Sequence, residues 1–230
     1  LAREEKRVLL VDLDPQGNVA HSLFTSKEFS LFDLLVGNCS YVDCITPLGK
    51  NLDVIHSTDT LSKIDIHLAK ESKPTEVISK RFEDLNGYDY VIFDCAPSFS
   101  LLNQSALLFA REAIIPVATN YLSLIGLDSM METIKELNKV HDHHLAIKHI
   151  VPTLHDKRNK TNREMFTKLL EEHGALVTNP IRINAKLSEA PSKGKSIFSY
   201  AKSSRGAKDY GELVQTIIEG EETNSTQKIR

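Results

Sequence analysis

Three aspartates stand directly after apolar stretches of the chain. Asp12 and Asp14 follow VLLV at residues 8–11, and Asp94 follows YVIF at residues 90–93. A carboxylate withdrawn from water is costly unless a cation or hydrogen bonds compensate its charge. A magnesium ion that carries phosphates supplies such compensation, because it takes few protein ligands and keeps several waters. The three aspartates together therefore predict a cation and phosphate site, although Asp94 alone would more simply be a residue that caps a turn.

The elements that must position these aspartates are short strands alternating with helices. Segments rich in valine and isoleucine predict strands at residues 6–12, 51–57, 88–94, 112–118 and 145–153. Helices are predicted at residues 59–70, 74–86, 101–111, 123–140, 161–173 and 204–219. The strands are mostly continuous in hydrophobicity, which is typical of parallel strands covered on both faces. The alternation predicts an α/β fold: a doubly wound, mostly parallel sheet with helices on both faces, whose ligands bind beyond the carboxyl ends of the strands.

Length and composition favour a single folded domain. The chain has 230 residues, of which 41% are hydrophobic, so it can build one sizeable core. We expect that domain to span residues 1–219 and a polar, frayed tail to occupy residues 220–230. In the helix over residues 123–140, apolar residues recur at intervals of three or four and predict one buried face: Leu124, Leu127, Met131, Ile134 and Leu137.

Membrane and secretory functions find no support in the sequence. Apolar stretches are too short to cross a bilayer, and LAREEKR at the start is too charged for a secretory signal. The three cysteines form no CxxC pair and leave one unpaired under any bridging, which favours a reducing compartment. A cytoplasmic protein is expected.

The charge of the chain is unevenly distributed. Residues 148–208 contain 13 basic and 5 acidic residues, a local charge of +8, whereas the whole chain carries −3. A basic segment within an acidic chain is the pattern expected when one face meets a polyanion. An ordinary solvated, lysine-rich surface is the alternative interpretation.

Three segments carry a resemblance to a known family. VLLVDLDPQGN, YDYVIFDCAPSFSLLNQSAL and KLSEAPSKGKSIFSYAKSSRGAKDYGEL resemble successive signatures of the ParA/Soj partition ATPases, within the ParA/MinD group of P-loop ATPases. The match runs in order from Lys6 to about Ile218. The resemblance implies a P-loop NTPase-like fold that binds ATP and Mg²⁺. It further implies a homodimer that binds nonspecific double-stranded DNA at the nucleoid and responds to a ParB-type centromere-binding protein.

The resemblance also implies roles for the residues of these motifs. Asp14 matches the carboxylate that positions the attacking water, Asp12 matches its neighbour near magnesium, and Asp94 matches the Walker B aspartate. Gly17 is expected to let the backbone turn beneath the phosphates, and Pro15 and Gln16 to fix the exit from the strand. The residues expected at the nucleotide are Pro15, Gln16, Gly17, Asn18 and Pro97.

Residues of the basic segment are implicated in DNA binding and dimerisation by the same resemblance. Lys186 aligns with an arginine that contributes to DNA binding, and Arg158 lies in a neighbouring basic loop with Lys157 and Lys160. The LSEAP element, with Ser188, Glu189 and Pro191, is expected near the nucleotide and the dimer interface. Relatives usually have IPRNVR where this chain has IRINAK at residues 181–186, which removes one arginine from the expected DNA surface.

The most important departure from the family is the absence of a P-loop. No GxxxxGK[ST] segment occurs in the sequence, and Gly17 is its first glycine. The family has a strand, this loop and a helix before the segment that corresponds to Lys6, so the sequence is expected to be truncated at its N-terminus. Without the first strand and the backbone N–H groups of the loop, we expect very weak ATP binding, no hydrolysis by this chain alone, and an unpaired slot in the sheet that favours aggregation.

Two other functions remain open at this stage. The first is a pseudoenzyme without a P-loop that binds DNA or a protein partner. The second is a membrane-associated ATPase like MinD, which the sequence disfavours because its last residues, TNSTQKIR, have no apolar face.

Overall fold

The computed structural model describes the backbone of residues 1–227 and the side chains of residues 1–220. The chain divides into two compact units, the first spanning Leu1–Ala110 and the second beginning at Arg111. Strands alternate with helices in both, which confirms the predicted α/β class.

The first unit contains a four-stranded, mostly parallel sheet with the strand order β2-β3-β1-β4. Its strands are β1 (Val8–Asp12), β2 (Ile45–Gly49), β3 (Leu52–Ile55) and β4 (Tyr90–Asp94). Strand β1 pairs in parallel with both β3 and β4, whereas β2, which the sequence did not predict, runs antiparallel to β3. The helices of this unit are α1 (Asn18–Leu23), α2 (Leu31–Val36), α3 (Tyr41–Cys44), α4 (Ile64–Leu68), α5 (Val77–Arg81) and α6 (Leu101–Phe109).

The core of the first unit forms around its central strand. Leu9 and Val11 of β1 are fully buried, as the continuous hydrophobicity of this strand predicts. They belong to one cluster with the buried faces of α2, α4, α5 and α6. The ring of Phe82 lies at its centre and contacts Phe93 at a centroid distance of 6.0 Å, edge to face.

Strand β4 lies at one edge of this sheet, although its sequence is typical of a strand covered on both faces. Ile92, its middle residue, is 40% exposed. An exposed apolar edge offers unpaired backbone groups to another strand. We therefore expect concentration-dependent self-association of this chain, and Ile92→Lys should reduce it in light-scattering measurements.

The second unit contains the parallel strands β5 (Glu112–Ala118) and β6 (Ala146–Thr153). Its helices are α7 (Tyr121–His141), α8 (Lys160–His173), α9 (Ala185–Glu189), α10 (Ile197–Tyr200) and α11 (Arg205–Gln227). The buried face predicted for α7 is confirmed, because Leu124, Leu127, Ile134 and Leu137 are buried and Met131 packs against the core.

An ion pair with a buried carboxylate joins α11 to the chain segment before α9. The backbone N–H of Arg182 donates to Oδ2 of Asp209 at 2.9 Å, and its guanidinium donates to both carboxylate oxygens. Asp209 is 5% exposed. The pair thus anchors residue 182 to the first turns of α11.

Several predicted boundaries were wrong. The helix predicted over residues 59–70 is a 3₁₀ turn followed by the short α4, and that over residues 74–86 begins as a 3₁₀ turn and ends with α5 at Arg81. The helix predicted to end at residue 219 continues to Gln227. Residues 228–230 lie outside the described part of the chain. The side chains of TNSTQKIR at residues 223–230, which argued against a membrane anchor, also lie outside it.

Within the described residues, no helix is both long and apolar enough to span a bilayer.

Candidate functional site

Two of the predicted aspartates lie side by side at the carboxyl ends of β1 and β4. Asp12 and Asp94 are register partners in the parallel pairing of these strands. Residues paired in this way lie about 5 Å apart at their backbones and point to the same face of the sheet. The N–H of Leu13 donates to the carbonyl of Asp94 at 2.9 Å and holds the two strand ends together.

The chain that leaves β1 wraps around the carboxylate of Asp12. Oδ1 of Asp12 accepts from the backbone N–H of Asp14 at 3.0 Å, and Oδ2 accepts from that of Val19 at 3.3 Å. Asp12 is fully buried. Its charge therefore receives two hydrogen bonds from the protein, and each of its oxygens retains a lone pair for a further partner.

Asp14 begins a tight turn over residues 14–17. The N–H of Gly17 donates to the carbonyl of Asp14 at 3.0 Å, and Oδ1 of Asp14 accepts from the N–H of Gln16 at 2.9 Å. Pro15 occupies the position of a turn that favours proline. The side chain of Asp14 is partly exposed, so the turn presents it beside the buried Asp12.

Gly17 is required at the end of this turn for two reasons. Its φ is +61°, in the left-handed region, and a Cβ at this position would lie 3.0 Å from the carbonyl oxygen of Ser57. The backbone at Gly17 therefore passes close to the carbonyl of Ser57, two residues after β3, and its expected place beneath the phosphates stays a prediction. Asn18, the next residue, is the exposed first residue of α1.

The loop after Asp94 is held by a residue that sequence reasoning did not single out. Asn103 of α6 is 3% exposed, and its amide nitrogen donates to the carbonyls of Ala96 at 2.8 Å and Ser98 at 2.6 Å. These bonds fix the exposed Pro97 between them. Asn103 lies within the second motif, which could have drawn attention to it. Its contacts, however, depend on how α6 packs against the loop after Asp94.

Burial and neighbouring charge disfavour ionisation of the paired aspartates. Burial raises the pKa of Asp12, the charges of Asp94 and Asp14 raise it further, and the two backbone hydrogen bonds oppose the shift. The side chain of Asp94 is exposed, yet neighbouring protein atoms that displace part of its solvent, and the charge of Asp14, also raise its pKa. A bound cation would reverse these effects, since it stabilises the ionised carboxylates.

This electrostatic cost predicts a pH dependence in the metal-free protein. A raised pKa in the folded state means that stability is present below the unfolded pKa of about 3.9 and is lost as pH rises through the folded value. We therefore expect the wild type to lose stability relative to Asp12→Asn as the pH rises above about 4 in EDTA. Urea denaturation at a series of pH values measures this difference. Mg²⁺ should reduce this difference in stability. Asp84→Asn on an exposed loop serves as the control. Parallel pH curves for the wild type and Asp12→Asn would show that Asp12 does not cause the loss of stability.

The acidic groups of this site do not form a complete set of metal ligands within the described residues. Among the described side chains, no group of three or more histidine, cysteine, aspartate or glutamate residues has the geometry of a metal site. The pair Asp12 and Asp94 suits a cation that is bound mainly by waters and by oxygens of a ligand, as Mg²⁺ commonly is with phosphates. The metal-binding roles of these two aspartates stay predictions.

The predicted DNA-binding residues lie on two adjacent segments of the second unit. The N–H of His155 donates to the carbonyl of Ile181 at 3.2 Å, and that of Ile183 donates to the carbonyl of His155 at 3.1 Å. The loop with Lys157 and Arg158 therefore starts beside the segment that leads to Lys186. Ile183, which replaces the arginine expected from the family, is 58% exposed.

The cationic groups of these segments are engaged by acidic neighbours. The guanidinium of Arg158 donates to both carboxylate oxygens of Asp156, at 3.0 and 2.9 Å. This pairing holds the pKa of Asp156 down to about 2. Lys160 lies 3.6 Å from Glu164. Because these pairs are largely solvent-exposed, they are weak and a polyanion can compete for the cations.

Lys186 takes part in a small cluster with the LSEAP element. Oε2 of Glu189 accepts from Nζ of Lys186 and from the hydroxyl of Tyr200, both at 2.7 Å. Ser188 and Glu189 lie on α9, and Pro191 begins the 3₁₀ turn that follows. The structure thus places the predicted DNA residue Lys186 next to the predicted interface residue Glu189.

Comparisons with known sequences give matches along nearly the whole chain. A family model described as an AAA domain matches residues 1–147. The chromosome-partitioning ATPase Soj of Treponema pallidum is 33% identical over 222 residues, which cover 95% of this chain and 87% of that protein. The sporulation initiation inhibitor protein Soj of Bacillus subtilis is 34% identical over 223 residues, 94% of this chain and 88% of that protein.

Solved structures share the fold at lower sequence identity. Apo McdA of Cyanothece is 20% identical with a TM-score of 0.83, covering 94% of this chain and 89% of that one. Cobyrinic acid a,c-diamide synthase of Mycobacterium smegmatis, solved with ADP and magnesium, is 22% identical with a TM-score of 0.80 and covers 97% of this chain and 86% of that one.

Proposed function

Because the chain belongs to the ParA/Soj family of partition ATPases, we propose that it acts as the ATPase of a DNA-partitioning system, with ATP and Mg²⁺ as its ligands. The observation that carries the proposal is the register pairing of Asp12 and Asp94 at the carboxyl edge of the first unit's sheet. Relatives in this family carry the names of chromosome-partitioning proteins, and a neighbour in fold was solved with ADP and magnesium.

The three aspartates have distinct roles in the proposed reaction. Asp12 and Asp94 would hold the magnesium ion, which when bound would neutralise charge on the phosphates. Asp14 orients a water molecule for attack on the terminal phosphate, since the turn over residues 14–17 fixes its Oδ1 and leaves Oδ2 without a hydrogen bond from the described residues. Phosphoryl transfer depends mainly on such positioning and on electrostatics. The backbone of Gln16, Gly17 and Asn18 and the loop at Pro97 flank the nucleotide.

The basic segments of the second unit give the ATPase a surface for nonspecific double-stranded DNA. Contacts from Lys157, Arg158, Lys160 and Lys186 to phosphates supply affinity that does not depend on sequence. ATP binding by a homodimer would bring two such surfaces together, with Ser188, Glu189 and Pro191 near the dimer interface. A ParB-type partner would stimulate hydrolysis and so release the DNA, at the nucleoid in the cytoplasm.

The proposal is tested with the full-length protein. We expect it to hydrolyse ATP with Mg²⁺ and to bind a random-sequence DNA duplex more tightly with a nonhydrolysable ATP analogue than with ADP. Fluorescence anisotropy of labelled DNA measures the difference. DNA affinity that is the same with either nucleotide, and no ATP turnover, would favour the pseudoenzyme alternative.

Loss of one phosphate contact should change the salt dependence of DNA binding. We expect Lys186→Ala to weaken binding to all sequences and to reduce the slope of log K against log salt by about 1. Anisotropy titrations over a range of KCl concentrations measure the slope. Lys139→Ala, which removes an exposed lysine of α7, is the matched control and should leave the slope unchanged. An unchanged slope for Lys186→Ala would remove Lys186 from the DNA surface.

A further inference from the structure

Two cysteine side chains of the first unit lie in contact at the start of α3. The Sγ atoms of Cys39 and Cys44 are 3.3 Å apart, and both thiols are free. Cys44 is fully buried in the core of the unit, whereas Cys39 is partly buried and packs against that core. The proposed ATPase reaction uses neither of them.

The contact between the two sulfurs follows from the way α3 begins. Ser40 caps the helix: its backbone N–H and its hydroxyl both donate to Oδ2 of Asp43, at 2.9 and 2.7 Å. In such a capping box, the residue before the cap packs against the fourth residue of the helix as a hydrophobic staple. Cys39 and Cys44 occupy these two positions. The helix start itself therefore holds the two thiols together.

Helix α2 shows the same arrangement with ordinary apolar residues. Ser30 caps α2 and donates to Oδ2 of Asp33 in the same two ways, at 2.9 and 2.8 Å. The corresponding staple positions are Phe29 and Leu34, both of which belong to the core cluster. At α3 the two staple positions are both cysteines, and two thiols, unlike Phe29 and Leu34, can form a covalent bond.

We propose that Cys39 and Cys44 form a reversible disulfide, and that the oxidant is a small-molecule disulfide of the glutathione type. An S–S bond measures about 2.05 Å, so the sulfurs must approach each other by about 1.2 Å. Cys39 lies beside the helix start and not within it, so rotation of its side chain can supply this movement. The disulfide would tie the start of α3 to the preceding loop.

The reaction proceeds by two exchange steps. The more accessible Cys39 attacks, as a thiolate, one sulfur of the small disulfide, whose S–S bond breaks and releases one thiolate. Cys44 then attacks Sγ of Cys39 as a thiolate and releases the second small thiolate. Two electrons pass from the protein to the small disulfide, and the two protons lost by the cysteines are taken up by the two released thiolates.

The surroundings of the pair make this exchange slow at neutral pH. Burial raises the pKa of Cys44 and of Cys39, the carboxylates of Asp33 and Asp43 add to this effect, and Arg81 opposes it at Cys39. Because the thiolate is the attacking species, the exchange should be faster at mildly alkaline pH.

Peptide mass spectrometry tests the proposal directly. The protein is incubated with oxidised glutathione at mildly alkaline pH, remaining thiols are blocked with N-ethylmaleimide, and the product is digested with trypsin. Residues 28–50 form one tryptic peptide that contains both cysteines, and Cys95, which is exposed, lies in another. We expect the first peptide to lose two hydrogens and to carry no maleimide, and dithiothreitol to reverse the change. Cys95 reports whether the oxidant reacted with an exposed thiol, although its raised pKa of about 11 makes it a slow one near neutral pH.

Single variants separate the two steps. In Cys44→Ala, glutathione should remain attached to Cys39, because the second thiol is missing, and in Cys39→Ala, Cys44 should stay reduced. Circular dichroism confirms that each variant is folded before oxidation. A stable glutathione adduct at Cys39 in the wild type would overturn the proposal. So would a peptide that stays fully reduced while Cys95 is oxidised.

Discussion

Replacing Asp14 by alanine is expected to lower the rate of ATP hydrolysis by the complete gene product about 100-fold or more. The turn over residues 14–17 holds this carboxylate beside Asp12, and one of its oxygens is already engaged by the N–H of Gln16. The remaining oxygen can therefore orient a water molecule without any rearrangement. Loss of this group removes an interaction that is needed in the transition state, so kcat should fall while ATP affinity changes little.

A steady-state phosphate-release assay measures this effect, together with ATP binding in equilibrium dialysis. Asp84→Ala removes an exposed aspartate of the same unit and should retain the wild-type rate. Asp14 is partly exposed, so its replacement should change the free energy of unfolding by no more than about 0.5 kcal/mol. A variant that hydrolyses ATP at the wild-type rate would show that Asp14 does not position the nucleophile.

The parallel strands were predictable because continuous apolar runs favour strands of a parallel sheet, although only β1 is largely buried and β4 is not. VLLVD and YVIFD are continuous apolar runs that end in aspartate, and both lie in the structure as β1 and β4 with their last residues paired. Strand β2 was not predictable, since Pro47 and Gly49 are unfavourable in strands and its pairing with β3 is irregular between them. Helices α2 and α3 are too short for a hydrophobic period, although their capping boxes are visible as Ser30 with Asp33 and Ser40 with Asp43.

The part of the candidate site that is built from neighbouring strand ends was predictable from the sequence. The part that depends on contacts between residues distant in the sequence was not. Asp12 and Asp94 meet because parallel strands end at the same edge of a sheet. Asn103 of α6 donates hydrogen bonds to the loop after Asp94, and no local sequence pattern indicates these bonds. Arg158 pairs with Asp156 and Lys186 pairs with Glu189, each within three residues along the chain. The net charge of the basic segment did not indicate these ion pairs.

The largest effect on stability is expected at the ion pair between Arg182 and the buried carboxylate of Asp209 in the second unit. We expect Asp209→Ala to lower the free energy of unfolding by about 3 kcal/mol. The carboxylate of Asp209 accepts from both the backbone and the guanidinium of Arg182, so its removal leaves several donors without a partner in a partly buried position. The loss should exceed that of an exposed pair because the backbone N–H of Arg182 and its partly exposed guanidinium together lose a buried acceptor. Urea denaturation followed by circular dichroism measures the change.

Two further variants separate burial from charge. Glu164→Ala removes the acidic partner of Lys160 from an exposed pair on α8, and it should cost no more than about 0.5 kcal/mol. Asp209→Asn keeps one oxygen that can accept from the N–H of Arg182, so its loss of stability should lie between those of Asp209→Ala and Glu164→Ala. If Asp209→Ala lowered the free energy of unfolding no more than Glu164→Ala, the donors of Arg182 would have to be hydrogen-bonded to another residue or to water in the variant. The anchor between α11 and the segment before α9 would then depend on apolar packing alone, for which Ile181 and Ala207, both buried, are the neighbouring candidates.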